Sequence, residues 1–257
     1  MARIARVIVP GVPHHVVQRG VRSIPIFDND DDRQLYLRLL KEHAAVHSVM
    51  FHAWCLMTNH VHFVAVPRHE KSLAKTFGEA HKIYTREFNK RHRVTGYLFQ
   101  GRFGSCPLDD RHLYEAVRYV ELNPVRAGIV QRAEQYPWSS AAYHLAKRKT
   151  DALVTSAPPS RNNRDITSLF AVLGEVECCV PSYSDSLVTD ALPSLYVEDW
   201  ASYLGEGTGE AMVKALEKHL NTGRPIGNDD FVRSLGSRVD RDLVPKKRGW
   251  PKGRERK

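Results

Sequence analysis

Two short motifs bring together residue types that do chemistry. The first is His60-Val61-His62. On a strand, side chains two apart point to one face, so both imidazoles share a face and Val61 and Phe63 take the other. Two neutral imidazoles so placed hold a divalent metal when a third ligand comes from elsewhere. The same pattern also suits two half-exposed strand histidines. The second motif is Tyr119-Val120-Glu121-Leu122-Asn123. Residues four apart on a helix are neighbours, which sets the Tyr119 phenol, a potential nucleophile, beside an amide that could ligate or orient. A core tyrosine fits the same position. Tyr114 and Tyr84 compete for the nucleophile's role, but four residues beyond them stand Arg118 and Phe88, neither an amide nor a carboxylate.

The surrounding sequence predicts the elements that must position these groups. Residues 7–19, rich in Val and His, read as a first strand ending at Gly20. The acidic run at 28–32 supplies helix-capping side chains, and Leu35, Leu39 and Leu40 then recur at helical spacing to about Val46. Residues 49–56 and 60–66 read as two strands joined at Thr58-Asn59, an antiparallel hairpin. Leu73, Phe77, His81, Tyr84 and Phe88 mark a second long helix. Residues 97–106 read as a fourth strand. A third helix opens at Asp109-Asp110 and should end or bend near Asn123, because Pro124 disfavours helical geometry in the residue before it. Strand, helix, strand, strand, helix, strand is the order of an α+β, ferredoxin-like split βαβ sheet, here with an added C-terminal helix carrying Tyr119.

Later sequence is less regular. The stretch Pro158-Pro159-Ser160 with Asn162-Asn163 reads as a linker, and residues 200–204, 210–220 and 231–235 read as short helices. Three regions are expected: a domain over 1–150, a helical or irregular accessory region over 151–244, and a disordered basic tail over 245–257.

Charge divides along the same lines. The 257 residues carry a formal net charge of +9. Residues 1–150 hold 23 basic and 13 acidic side chains, residues 151–244 hold 8 and 15, and residues 245–257 hold 7 and 1. Two basic regions suit a polyanion partner. Twelve of the 13 histidines lie at or before His144, which fits metal or phosphate chemistry in the first region. No apolar run approaches the ~20 residues of a membrane span, and the opening residues lack a signal-like apolar segment. The four cysteines, Cys55, Cys106, Cys178 and Cys179, have no CxxC spacing and suit reduced thiols. A cytoplasmic, nucleoid-associated protein with no membrane partner is expected.

Taken together, the motifs resemble the HUH superfamily of single-tyrosine nucleases, and more closely the REP-associated tyrosine transposases, or transposase IS200-like proteins. The carrying segments, in family order, are Gly11-Val12-Pro13-His14-His15-Val16-Val17-Gln18-Arg19-Gly20, Met57-Thr58-Asn59-His60-Val61-His62, Leu98-Phe99-Gln100-Gly101-Arg102-Phe103 and Arg118-Tyr119-Val120-Glu121-Leu122-Asn123-Pro124-Val125-Arg126-Ala127-Gly128. They span roughly residues 1–145. The segment Gly223-Arg224-Pro225-Ile226-Gly227 and the basic tail look like the ends of longer members. Insertion-sequence relatives carry Gln four residues after the tyrosine, where this chain has the shorter Asn123.

The resemblance implies that Tyr119 attacks a phosphodiester of single-stranded or hairpin DNA at palindromic repeats, giving a 5′-phosphotyrosine and a free 3′-OH. It also implies Mg²⁺ or Mn²⁺ held by His60, His62 and Asn123. One phosphoester replaces another, so no nucleotide is needed, in keeping with the absence of a Walker-type loop. Expected DNA contacts are Arg19, Arg22, Lys82, Arg86, Lys90, Arg91, Gln100 and Arg102, with Lys246, Lys247, Arg248 and Arg254 of the tail adding phosphate attraction. His14 and His15 could line the same face as the His60–His62 strand, and a purely structural role fits either equally well. Trp54, Phe63 and Phe99 read as core. A monomer or weak homodimer is expected. The rival readings are a DNA-binding regulator without catalysis, and a metal-dependent phosphodiesterase that uses water.

Overall fold

The computed structural model describes residues 6–148, 151–154, 197 and 199–244. Four strands form its centre: β1 (His14–Arg19), β2 (Val49–Leu56), β3 (His60–Pro67) and β4 (Gly104–Pro107). They pair antiparallel in the order β2-β3-β1-β4. Helix α1 (Asp30–His47) links β1 to β2, and α2 (Ser72–His92) links β3 to β4. This is the α+β, ferredoxin-like arrangement, with β1 and β3 as its two central strands.

Local chemistry sets the helix limits. The Asn29 side chain accepts the Asp32 amide at 3.0 Å, and Asp30, Asp31 and Asp32 place negative charge in the first turn of α1, where the helix dipole favours it. Gly20, just past β1, is required by close approach. A Cβ there would lie 2.4 Å from the Ile24 carbonyl oxygen and 2.8 Å from Ile26 Cγ2.

The strand period of two sorts β3 into two faces. Val61, Phe63 and Ala65 join Tyr36, Leu40, Phe77 and Tyr84 in the core beneath α1 and α2. Fully burying a side chain such as Val61, Phe63, Leu40 or Phe77 contributes roughly 1.5–3 kcal/mol. Trp54 and Phe99 lie in the same core with Phe63, as expected. The opposite face carries α3 (Asp110–Glu121), whose Leu113, Val117 and Val120 pack with Val64, Ala53 and Cys106. Short helices α4 (Asn123–Arg126) and α5 (Ala141–His144) follow, then α6 (Trp200–Gly205), α7 (Glu210–Thr222) and α8 (Asp229–Arg238). Trp200, Leu204 and Leu216 belong to the same core as α3.

Two elements depart from the sequence expectation. The first strand is only six residues long. A turn at Pro10-Gly11, with Gly11 at φ +75°, precedes it, and Val7, Val9 and Val12 pack instead against Val232, Leu235 and Leu243. The fourth strand is shortened to Gly104–Pro107, because Gly101 turns the chain at φ +60° and leaves Phe99 with an isolated bridge to Gly20. The third helix bends where expected, near Asn123. α3 ends at Glu121, and Pro124 sits in the first turn of α4, where its missing N–H costs nothing. The expected linker, Cys178, Cys179 and the basic tail lie outside the described residues.

Candidate active site

Strand register builds one face. Val17 pairs with His62 and Arg19 with His60, so His15, Val17 and Arg19 project on the same side as His60 and His62. His62 is buried and His60 half-buried. Their rings meet edge to face at 5.0 Å between centroids. His15 lies over His62, with Nε2 3.1 Å from His62 Nδ1. His14, for which the sequence leaves a site role and a structural role both open, takes the other face. Its ring nitrogens are occupied by the Val9 amide and the Val12 carbonyl, a structural role.

α3 lays Tyr119 across this face. Its ring meets His15 at 5.5 Å and His62 at 5.6 Å, edge-on to both. The Arg126 guanidinium lies 4.3 Å from the centre of the same ring. Tyr84 is on the far side of the sheet, its hydroxyl donating to the Ile26 carbonyl at 2.5 Å. Tyr114 is five residues earlier on α3, about one and a half turns away. The bend after Glu121 brings Asn123 beneath Tyr119. Asn123 Nδ2 donates to the Tyr119 carbonyl at 2.9 Å and the Val120 carbonyl at 3.3 Å, so only Oδ1 remains as a ligand atom.

The electrostatics keep the histidines uncharged. Burial, aided by the charge of Arg19, lowers His60 to about 4. Burial lowers His15 to about 3. His62 lies well below the ordinary imidazole range, first through burial and then through His15, His60, Arg126 and Arg19. Neutral imidazole is the form that binds metal. A hydrogen bond also fixes which nitrogen of His60 is free. Asn59 Oδ1 accepts from His60 Nδ1 at 2.6 Å, leaving His60 Nε2 as a bare donor atom. His62 presents Nε2 in the same way when its Nδ1–H donates to His15 Nε2. A carbonyl or neighbouring ring that fixes the tautomer is the usual support of a metal-binding histidine. The residues present therefore fit a divalent ion.

Residues 9–123 match the family model described as transposase IS200 like. A solved structure described as a REP-associated tyrosine transposase bound to a REP hairpin shares the fold, with a TM-score of 0.50 at 16% identity over 63% of this chain and 96% of that one. No curated protein matches the chain.

The other candidate residues fall in three places. Arg19 flanks His60, and Gln100 joins it through a 2.8 Å bond from its backbone N–H to the Arg19 carbonyl. Arg22 follows shortly after in a left-handed conformation at φ +51°. Arg19 stands on the histidine face, and Arg22 and Gln100 lie in the chain segments next to it. Lys82, Arg86, Lys90 and Arg91 lie on α2, across the sheet from Tyr119. Arg86 pairs with Glu87 and Arg91 with the buried Asp32. Arg102 lines a shallow cleft with Arg6 and the end of α7. Lys246, Lys247, Arg248 and Arg254 lie outside the described residues.

Two neighbours of the site escaped the sequence reading as site residues. Arg126 lies inside the motif that carries the resemblance, but its reach back over Tyr119 depends on the bend at Pro124. Glu121, fully buried, points away from Tyr119 and accepts from Ser140 Oγ at 2.6 Å, Trp200 Nε1 at 2.9 Å and His144 Nδ1 at 2.5 Å. Arg118 donates to Glu206 at 2.9 Å and to the Tyr203 carbonyl at 3.2 Å, over the Tyr203 ring. The helix that carries Tyr119 is thus gripped by α5 and α6, beyond the stretch matched by the family model.

Proposed function

We propose that this protein is a metal-dependent, single-tyrosine endonuclease and strand transferase acting on single-stranded or hairpin DNA at palindromic, REP-like repeats. One observation carries the reading: the Tyr119 ring is set against His15 and His62 on the sheet and beneath the guanidinium of Arg126. A phenol, a pair of neutral imidazoles and a cation converge where a phosphodiester would have to react. The similar solved structure, which its description gives as bound to a REP hairpin, supports the choice of substrate.

In this reading Tyr119 Oη attacks the phosphorus, the new P–Oη bond forms as the P–O3′ bond breaks, and the 5′ side stays on the protein. The proton lost by the phenol is matched by one gained at the 3′ oxygen. The bond exchange conserves phosphoester energy and reverses when a 3′-OH returns. His60 and His62, with Asn123 Oδ1 as a third candidate, would hold Mg²⁺ or Mn²⁺, which supplies Lewis-acid stabilisation of the phosphate charge. Imidazole suits Mn²⁺ better than the harder Mg²⁺. Arg126 binds a phosphate oxygen and orients it over the phenol, as guanidinium groups do. Arg19, Arg22 and Gln100 carry the strand past His60.

Incubating the full chain with a hairpin bearing a single-stranded flank, then denaturing, tests the reading. It expects a covalent protein–DNA band that requires Mg²⁺ or Mn²⁺. Cutting without the band would point to water as the nucleophile, and binding with neither would leave a regulator. Either result overturns the proposal.

A further inference from the structure

On the face of the sheet away from Tyr119, α1 and α2 pack side by side. His43 and His47 stand one turn apart on α1, with rings nearly parallel at 9°. Glu79 rises opposite them from α2. One carboxylate oxygen, Oε2, lies 3.1 Å from His43 Nδ1 and 2.8 Å from His47 Nε2. One potential ligand atom from each residue lies within 4.8 Å of the other two. Among the described residues, no other three His, Cys, Asp or Glu side chains converge so closely. The histidine side chains are 18% and 12% exposed and Glu79 is 48% exposed, so the cluster is backed by protein and open on one side.

We propose that His43, His47 and Glu79 form a second metal site, for a borderline transition ion such as Zn²⁺, that staples α1 to α2. The donor set is two imidazole nitrogens and one carboxylate oxygen, with solvent completing a tetrahedron. Tetrahedral zinc with ligands at about 2.0–2.2 Å holds donor atoms ~3.3 Å apart, near the two separations observed here. His43 binds through Nδ1 and His47 through Nε2, each neutral, with its proton on the other nitrogen. A Thr76 hydroxyl already donates across the same helix pair to the His43 carbonyl at 3.3 Å, so little rearrangement is needed. Two nitrogen ligands select against Mg²⁺, which prefers oxygen and keeps its waters. Lys75, whose charge acts on Glu79, holds the affinity to a moderate level. Without metal the same trio is two imidazole N–H groups sharing one oxygen, and the experiment must separate the two states.

The full chain with His60→Ala and His62→Ala removes the other histidine pair. Calorimetric titration of that protein with Zn²⁺ should show one ion bound at micromolar or tighter affinity, undisturbed by millimolar Mg²⁺. Its melting temperature should rise by ~5 °C at zinc a hundredfold above Kd. Adding His43→Ala, His47→Ala or Glu79→Gln should cost at least tenfold in affinity and abolish the thermal shift, with circular dichroism unchanged before zinc is added. Failure of the starting protein to bind zinc overturns the site, and so does binding that survives all three changes.

Discussion

His15 Nε2 lies 3.1 Å from His62 Nδ1, and the two rings stack at 5.4 Å with 24° between their planes. The contact gives His15 a task beyond filling the core: when His62 Nδ1–H donates across it, His62 Nε2 is left free. His15→Phe keeps the ring volume and removes the acceptor. Metal affinity measured by calorimetry should fall about 10–100-fold, and cleavage at limiting Mn²⁺ should fall with it. Saturating Mn²⁺ should restore most of the rate, and DNA affinity measured in a chelator should not change.

Arg126 carries the second expectation. Arg126→Ala removes the guanidinium 4.3 Å from the Tyr119 ring centre but no buried packing, since Arg126 is exposed. Cleavage under saturating DNA should drop ~10²-fold, the cost of losing one charge-stabilising donor, while thermal stability stays within about 0.5 kcal/mol. Arg126→Lys should recover only part of the rate, because an ammonium cannot grip two phosphate oxygens in the guanidinium's fork. A normal rate in the Ala variant would remove Arg126 from the mechanism.

Glu121 ties the tyrosine helix to α5 and α6, and its partner His144 makes that tie depend on pH. Burial disfavours protonation of His144, but the Glu121 charge, its hydrogen bond and the charge of Asp151 outweigh burial and raise its pKa. A raised folded pKa gives stability that is complete below the unfolded value of ~6.5 and is lost as pH rises through the folded value. His14, His52 and His81 work in the opposite sense, since burial lowers them to about 4, 4 and 3, and they withdraw stability as pH falls below ~6.5. Urea titrations across pH 6–9 should therefore show a falling branch at the alkaline end in the native chain. Glu121→Gln should flatten that branch while leaving the acid side in place. Trp200→Phe, which removes only the indole donor to Glu121, should cost about 1–3 kcal/mol.

Much of this arrangement is legible in the sequence, for physical reasons that also mark where legibility stops. The strand period places His60 and His62 on one face and Phe63 on the other, and the helical period singles out Tyr119 with Asn123. Both patterns are local; the strand pattern is kept, whereas the bend after Glu121 sets Asn123 against the Tyr119 backbone carbonyl. His15 and His14 have identical sequence credentials, and only the register of β1 against β3 assigns one to the site and the other to a structural hydrogen bond. Arg126 depends on a bend, and Glu121 on partners 19, 23 and 79 residues away. The His43–His47 pair has helical i, i+4 spacing, but Glu79 comes from another helix. The strand ends at Gly11 and Gly101 were overrun because a β-rich composition continues past the glycine that stops each strand.

The central claim is that Tyr119 is the nucleophile. The direct measurement is a denaturing gel of end-labelled hairpin DNA after incubation with the native chain, with Tyr119→Phe and with Tyr114→Phe, in Mn²⁺. The native chain and Tyr114→Phe should give a shifted band that resists denaturant and collapses on protease digestion. Tyr119→Phe, which loses one hydroxyl and keeps its ring against His15 and His62, should bind the hairpin with near-native affinity and give neither adduct nor cut. An adduct that persists in Tyr119→Phe, or one that disappears in Tyr114→Phe alone, would contradict it.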